Sequence, residues 1–288
     1  MSTELELDEL RALVERRAGI HFDATRDRFL EARVREHMEE RGIASPSDLL
    51  GRIQRSNWEY ETFLERLLTQ ETSFFRYPSV FSALRNTVLK EMHARKFWED
   101  PRTLRVWSAG CATGEEAYSI AITIAEALMF VEAWDIEILA TDISASALRR
   151  AEQAVYPRRA LAALSPEQLD AHFTRAPGPD HWQVRPRIRH MVRVAPMNLA
   201  DPVYAGRMDL IFCMNVMIYF TEERRMALLR AFCETLNPGG YLVLGHAESV
   251  AKCPVKLECI QHGDSLLYRK PLAARSEAAA AVALEKIS

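Results

Sequence analysis

From Leu104 onward the chain alternates short apolar runs with amphipathic ones, and no other feature limits its fold as much. The runs Leu104–Ala109, Ile136–Thr141, Met191–Val194, Met208–Met214 and Tyr241–Gly245 read as strands. Thr113–Phe130, Ser144–Ala154 and Thr221–Leu236 have helical spacing between them. Such alternation implies an α/β domain with a mostly parallel sheet and helices on both faces. Near the end, "NPGGYLVLG" and "GDSLLYRK" lie too close together for an intervening helix, so they are expected to pair antiparallel at the sheet edge. The stretch "APGPDHWQVRPRIRHMVRV" breaks the alternation and reads as an inserted β hairpin, around 172–194.

Before this region the pattern is helical throughout. "ELDELRALVERRAGI" puts Leu7, Leu10, Leu13 and Val14 on one face. "TRDRFLEARVREHMEERG" is expected to do the same with Phe29, Val34 and Met38, with Gly42 as a stop. Ser45 before Pro46 is a helix cap followed by a first-turn proline, and "WEYETFLERLLT" is a further short helix. We therefore expect a helical domain over 1–77 and an α/β domain over 78–270. The Ala-rich segment 271–288 is expected to be a flexible tail.

The 288 residues suffice for a large core, and the net charge of −3 offers nucleic acid no broad basic surface. The helical portion also carries more acidic than basic residues. The five cysteines (Cys111, Cys213, Cys233, Cys253, Cys259) include no CxxC pair, which points to a reducing compartment and away from a zinc site; no metal is expected. No apolar run approaches the roughly 18 residues of a membrane helix, and the start of the chain has no secretory pattern. A cytoplasmic location is the expectation.

The stretch "VWSAGCATGEEAYSIAI" has the form strand, glycine turn, helix. A dinucleotide fingerprint is G-x-G-x-x-G, with a pyrophosphate on the helix N-terminus. Here the glycines are Gly110 and Gly114, and Glu115 and Glu116 follow where a phosphate would rest. Two carboxylates repel a phosphate but suit a ligand that is cationic or carries amino donors, and S-adenosylmethionine is one. Both glutamates also suit the helix dipole without any ligand. Asp142 ends the next strand, placed either to grip ribose hydroxyls or to cap the helix after it.

Six segments, in order, resemble the chemotaxis receptor methyltransferase (CheR) family. They are "TQETSFFRYP", the glycine-turn stretch, "ATDIS", "NLAD", "IFCMNVMIYF" and "PGGYLVLGHAES". The resemblance covers roughly residues 8 to 270. It implies an N-terminal all-helical domain, then a Rossmann-like class I methyltransferase domain with a mostly parallel seven-stranded sheet, its last strand antiparallel. A small inserted antiparallel β-subdomain is part of the same expectation.

The resemblance also implies the activity, transfer of a methyl group from S-adenosylmethionine to receptor glutamates, leaving S-adenosylhomocysteine. By position, cofactor contacts fall on Gln70, Thr72, Arg76, Gly110, Glu116 and Asp142, and on Asn198, Leu199, Met214 and Asn215. Arg76 and Tyr219 are the residues implied nearest the transferring methyl. The chain departs from the family at two of these positions: Gln70 stands where Asn is frequent, and Met214 where Arg is frequent. Phe74 and Phe75 read as core or as an adenine wall.

Amino-group methyltransferases use an N-P-P-Y-type stretch to hold the nitrogen, and "NVMIYF" stands in its place here. The implied partner is the cytoplasmic domain of chemoreceptors, reached through the basic residues Arg185, Arg187 and Arg189 of the insertion. No nucleic-acid partner and no membrane insertion are expected, and the resemblance suggests a monomer recruited to receptor arrays. The alternatives are a methyltransferase acting on RNA or a small molecule, and a cofactor-sensing scaffold without activity.

Overall fold

The computed structural model describes residues 3–23, 26–201, 206–250 and 255–272. The expected tail, from 273 onward, and Cys253 lie outside them.

Four helices open the chain: α1 (Thr3–Ala18), α2 (Asp27–Arg41), α3 (Pro46–Arg55) and α4 (Asn57–Leu67). Their core gathers Leu10, Val14, Leu30, Val34, Ile53 and Phe63. Gly42 ends α2 at φ 58, and the Ser45 side chain accepts from Asp48 N with Pro46 in the first turn, both as expected. The buried face of α2 differs from the expected one: it consists of Leu30, Val34 and His37, with Phe29 and Met38 packed beside it only in part. A histidine at i+7 counts as polar in a hydrophobic pattern, yet His37 is buried because Glu59 of α4 supplies its hydrogen bond at 2.9 Å.

The segment after α4 crosses to α5 (Pro78–Ala83), which runs through one π turn (Leu84–Val88) into α6 (Leu89–Lys96). The α/β region follows as β1 (Thr103–Ala109), α7 (Glu115–Ala127), β2 (Asp135–Asp142), α8 (Ala145–Gln153) and β3 (Val155–Pro157). Next come α9 (Pro166–His172), β4 (Phe173–Arg175), β5 (His181–Val184), α10 (Pro186–Arg189) and β6 (Val192–Pro196). The chain closes with β7 (Met208–Cys213), α11 (Glu222–Thr235), β8 (Leu236–Leu244), β9 (Glu258–His262) and β10 (Ser265–Arg269).

The main sheet has seven strands in the order β6-β2-β1-β7-β8-β10-β9. The pairs β6–β2, β2–β1, β1–β7 and β7–β8 are parallel, and β10 runs antiparallel to both β8 and β9. This is the expected Rossmann-like sheet with an antiparallel last strand. Every residue of β7 is buried, as befits a central strand covered on both faces. Chain direction reverses its march across the sheet between β1 and β7, so the carboxyl ends of these strands open a crevice there.

The inserted sheet has three strands, β3-β5-β4, all antiparallel, where a hairpin was expected. The third strand is Val155–Pro157, which sits ahead of the expected insertion because Ala154 turns the chain through φ 53 at the end of α8. β6 lies where the strand Met191–Val194 was expected and belongs to the main sheet, so the insertion ends before it. The basic residues are correspondingly displaced from the β strands. Arg185 precedes α10 and donates to Asp170 O, while Arg187 and Arg189 lie in α10, with Arg189 donating to Glu152 O.

Candidate active site

The glycine turn is shaped by two close approaches. Gly110 adopts φ +89 and Gly114 φ +96, a region that L side chains avoid. A Cβ on Gly110 would stand 2.3 Å from Val216 Cγ2, and one on Gly114 would stand 2.9 Å from both Ala151 Cβ and Tyr156 Oη. The turn is therefore pressed against the end of β7 on one side and α8 on the other. That contact brings the β1, β2 and β7 ends around one cavity of about 270 Å³.

The two glutamates of the turn part company. Glu115 is buried, accepts from Thr113 Oγ1 at 2.6 Å, and stays out of the cavity wall. It answers to the helix-dipole reading. Glu116 lines the cavity and accepts from Ser108 Oγ at 2.7 Å. Burial pushes its pKa up to about 7; Ser108 opposes the shift, the Glu248 charge adds to it, and Arg76 opposes it. Asp142 also faces the cavity. Its Oδ2 accepts from Ala112 N and its Oδ1 from Ser144 N, both at 2.9 Å, so one carboxylate ties consecutive βα turns together. Burial raises its pKa. Ser144, not Asp142, is the N-cap of α8.

The linker from α4 forms the opposite wall, contributing Gln70, Thr72 and Arg76. The Gln70 amide is engaged: Nε2 lies 2.9 Å from Ser144 Oγ, 3.1 Å from Ser146 Oγ and 3.2 Å from Glu65 Oε2. Arg76 is exposed, with Nη1 donating to Glu71 O at 2.9 Å. Phe74 and Phe75 take no part in the cavity. Phe74 is fully buried between Tyr156 and Phe173, and Phe75 packs on Phe81. Both are core, as one of the two sequence readings held.

The ends of β6 and β7 close the ring with Asn198, Leu199, Met214, Asn215 and Tyr219. Asn198 Nδ2 donates to Arg17 O of the helical domain at 2.7 Å. Met214 is buried and, as a thioether, cannot supply the hydrogen bonds of a guanidinium. Asn215 takes φ 61 and accepts from Tyr77 Oη at 2.8 Å. Tyr219 stands in a 3₁₀ turn, its ring 4.4 Å beneath the Arg26 guanidinium carbon and its carbonyl accepting from His21 N at 2.7 Å. The positions to which the resemblance assigned cofactor contacts, and Tyr219 with them, thus line one cavity, while Glu115, Phe74 and Phe75 do not.

Other participants carried no role in the sequence reading. Tyr77 and Glu248 both lie in quoted motifs, but no spacing rule marks a tyrosine that meets Asn215 across 138 positions. Ala18 and Ile20, from the end of α1, also line the cavity. Only the folded arrangement of the helical domain reveals that.

The donor set favours one kind of ligand. Of the charged side chains lining the cavity, Glu71, Glu116 and Asp142 are acidic and Arg76 alone is basic, among the described residues. A pyrophosphate would meet net repulsion, whereas a cationic nucleoside finds carboxylates for its ammonium group and its hydroxyls. S-adenosylmethionine fits these residues.

Comparison with known proteins agrees with this reading. Residues 5–68 match the family model described as CheR methyltransferase, all-alpha domain, and residues 70–265 match CheR methyltransferase, SAM binding domain. The chain belongs to the CheR methyltransferase family. It is a methyltransferase whose cofactor is S-adenosylmethionine.

It is 34% identical to Chemotaxis protein methyltransferase 1 of Pseudomonas aeruginosa, over 92% of this chain and 97% of that protein. It is 32% identical to Chemotaxis protein methyltransferase Cher2 of Pseudomonas putida, over 93% and 99%. A Klebsiella aerogenes chemotaxis protein methyltransferase is 35% identical over 83% of this chain and 81% of its own length. Among the described residues, no helix is long and apolar enough to cross a membrane, and no group of three or more His, Cys, Asp or Glu could hold a metal ion.

Proposed function

We propose that this CheR-family enzyme transfers methyl groups to glutamate side chains of chemotaxis receptors, giving methyl esters that tune receptor signalling. One observation carries the reading: the cavity wall joins carboxylates to Arg76 and Tyr219 and contains no histidine or lysine, among the described residues. A substrate that needed its proton removed would call for a free base, and in this reading the carboxylates Glu116 and Asp142 are already taken up by the cofactor. A glutamate, with a reference pKa near about 4.3, is already ionised at neutral pH and needs none.

When bound, S-adenosylmethionine supplies an electrophilic methyl group on a positively charged sulfur. Glu116 and Asp142 hold the ammonium group and the ribose, and Asn198, Leu199 and Asn215 line the rest of the nucleoside. Gln70 keeps the linker against α8, and Thr72 faces the ligand from that linker. Gly110 lets the turn approach without a side chain in the way, and Met214 offers only its backbone and apolar bulk. Arg76 holds the acceptor carboxylate, and Tyr219 orients it. As an oxygen–methyl bond formed and the methyl–sulfur bond broke, the acceptor anion and the sulfonium would lose charge together and a neutral thioether would leave, so a site that excludes water would favour the transfer; orientation alone would supply roughly 7 kcal/mol or more. Too tight an Arg76 pair would stabilise the ground state and slow attack. Its exposure and its bond to a backbone carbonyl fit a partial contact.

The receptor is proposed to dock on the basic segment around Arg185, Arg187 and Arg189. Arg187 is the exposed member, and the other two are anchored to backbone carbonyls. The enzyme is taken to act as a cytoplasmic monomer at receptor arrays. Incubating it with radiolabelled S-adenosylmethionine and receptor cytoplasmic fragments tests the whole reading. Label released as methanol by mild base is expected. A base-stable label would place the methyl group on nitrogen, and tight cofactor binding with no label would indicate a sensor.

A further inference from the structure

The segment that carries Asn215 and Tyr219 runs between β7 and α11 without regular hydrogen bonding of its own, apart from one short 3₁₀ turn. Asn215 is left-handed there, at φ 61, a region that asparagine tolerates better than other residues with a Cβ, though still less readily than glycine. Such a conformation persists only where its surroundings hold it.

The holding group is Glu248, buried in the turn after β8. Its Oε2 accepts from Gly245 N at 2.8 Å and Asn215 N at 3.1 Å. Its Oε1 accepts from Met217 N at 2.7 Å and Val216 N at 3.0 Å. One carboxylate thus satisfies consecutive amides of the site segment and fastens them to β8. Gly245 makes room for this, since a Cβ there would stand 2.8 Å from Glu248 Oε2 and 3.0 Å from Asn215 N. The same turn braces the segment's other neighbour: His246 packs edge-on against Tyr77 with ring centroids 4.8 Å apart, and Tyr77 donates to Asn215. Glu248 itself does not line the cavity.

We infer that Glu248 is a positioning residue for the active site, fixing the backbone from which Asn215, on the cofactor side, and Tyr219, on the acceptor side, project. The inference rests on the role proposed above for those two residues. Glu248 touches neither methyl donor nor acceptor, and it acts by denying the Asn215–Met217 amides any alternative partner. An amide in its place keeps the size but turns an NH₂ group toward N–H donors, which must then move apart.

The test compares wild type with Glu248→Gln and Gly245→Ala, the second keeping the charge while crowding the carboxylate. Calorimetric titration with S-adenosylhomocysteine counts folded sites, and receptor methylation is expressed as kcat per titrated site. A fall in kcat of at least tenfold in both variants is expected, with receptor KM changed less than threefold. Hydrogen exchange provides a readout that needs no substrate. The Asn215, Val216, Met217 and Gly245 amides should exchange at least tenfold faster in Glu248→Gln, while the amides of β1 and β2 stay slow. General loosening would lower the number of sites and speed exchange throughout without lowering kcat per site, and that result would overturn the inference. So would unchanged exchange at those four amides, or an unchanged kcat per site in either variant. A wild-type enzyme that binds the cofactor but leaves receptors unlabelled would count against the proposed substrate, and the exchange result would still decide the role of Glu248.

Discussion

Glu65, on the last helix of the helical domain, caps the first turn of a helix in the other domain: its Oε1 accepts from Ser146 N at 3.0 Å. Oε2 of the same carboxylate accepts from Ser144 Oγ and Ser146 Oγ, each at 2.7 Å, and from the Gln70 amide. A negative charge at a helix N-terminus is favourable, and here it also joins the two domains beside Asp142. Replacing Glu65 by Ala should cost about 1–2 kcal/mol through the lost cap and the stranded donors. Urea unfolding followed by tryptophan fluorescence would read the change.

Gly110 gives a sharper steric prediction. Gly110→Ala meets two penalties at once, a left-handed backbone and an overlap with Val216. Together they should amount to roughly 2–4 kcal/mol. If the protein relieves the overlap by moving Val216, cofactor affinity will fall instead, so calorimetry and denaturation should be run on the same sample.

How far could all this be read without coordinates? The parallel sheet was legible because buried strands such as β7 are apolar without interruption and the helices between them keep a clean period. The edge strand β9 was not, since Glu258–His262 is largely exposed and alternates too weakly to stand out. The cavity residues that lie at strand ends, in the glycine turn or in the linker were legible through motif resemblance, whereas Ala18 and Ile20 were not. Tyr77, Glu65 and Glu248 were not, because their roles are defined by partners far away in sequence. Nor does any sequence pattern reveal that His37 is buried.

That histidine should make the helical domain sensitive to acid. Neutral His37 donates from Nε2 to Glu59, and its Nδ1 has no partner. Burial lowers its pKa, with the nearby Arg66 and Arg41 charges acting the same way against the Glu59 bond. For Glu59 burial works against ionisation, but hydrogen bonds from His37 and Arg41 outweigh it and the pKa is lowered. The unfolded chain therefore takes up protons first at both sites. Their contribution is intact above the ordinary histidine pKa of 6.5 and is lost as pH falls below it, first through His37 and then through Glu59. Thermal unfolding from pH 7.5 to 4.5 should show the helical domain losing stability through this window, and His37→Gln should flatten the upper part of the curve.

Arg76 divides binding from turnover. It lies at the cavity wall, exposed, donating to Glu71 O and resting over the Tyr77 ring at 5.6 Å. If it holds the acceptor carboxylate, Arg76→Ala should lower kcat by about 10² while the S-adenosylmethionine Kd shifts by no more than about threefold. Lysine keeps the charge but not the planar fork, so Arg76→Lys should recover only part of the loss. A defect confined to cofactor affinity would remove Arg76 from the acceptor side.

The pH dependence of cofactor binding should follow Glu116. Its folded pKa of about 7 lies above the ordinary 4.5, the reverse of a carboxylate paired with a cation in the folded state. The native protein therefore binds the extra proton, and ionising Glu116 costs stability as pH rises from 4.5 toward 7. A cationic ligand reverses that cost by pairing with the ionised form. Affinity for S-adenosylmethionine should rise up to about tenfold per unit from pH 5.5 to 7 and then level off, before the ligand's own amino group begins to titrate near about 8. The thermal shift caused by the cofactor should grow over the same interval, with protons released on binding. Glu116→Gln should bind more weakly at pH 7.5 and lose most of the slope; a slope that survived the substitution would assign the titration to another group, with Asp142 the next to examine.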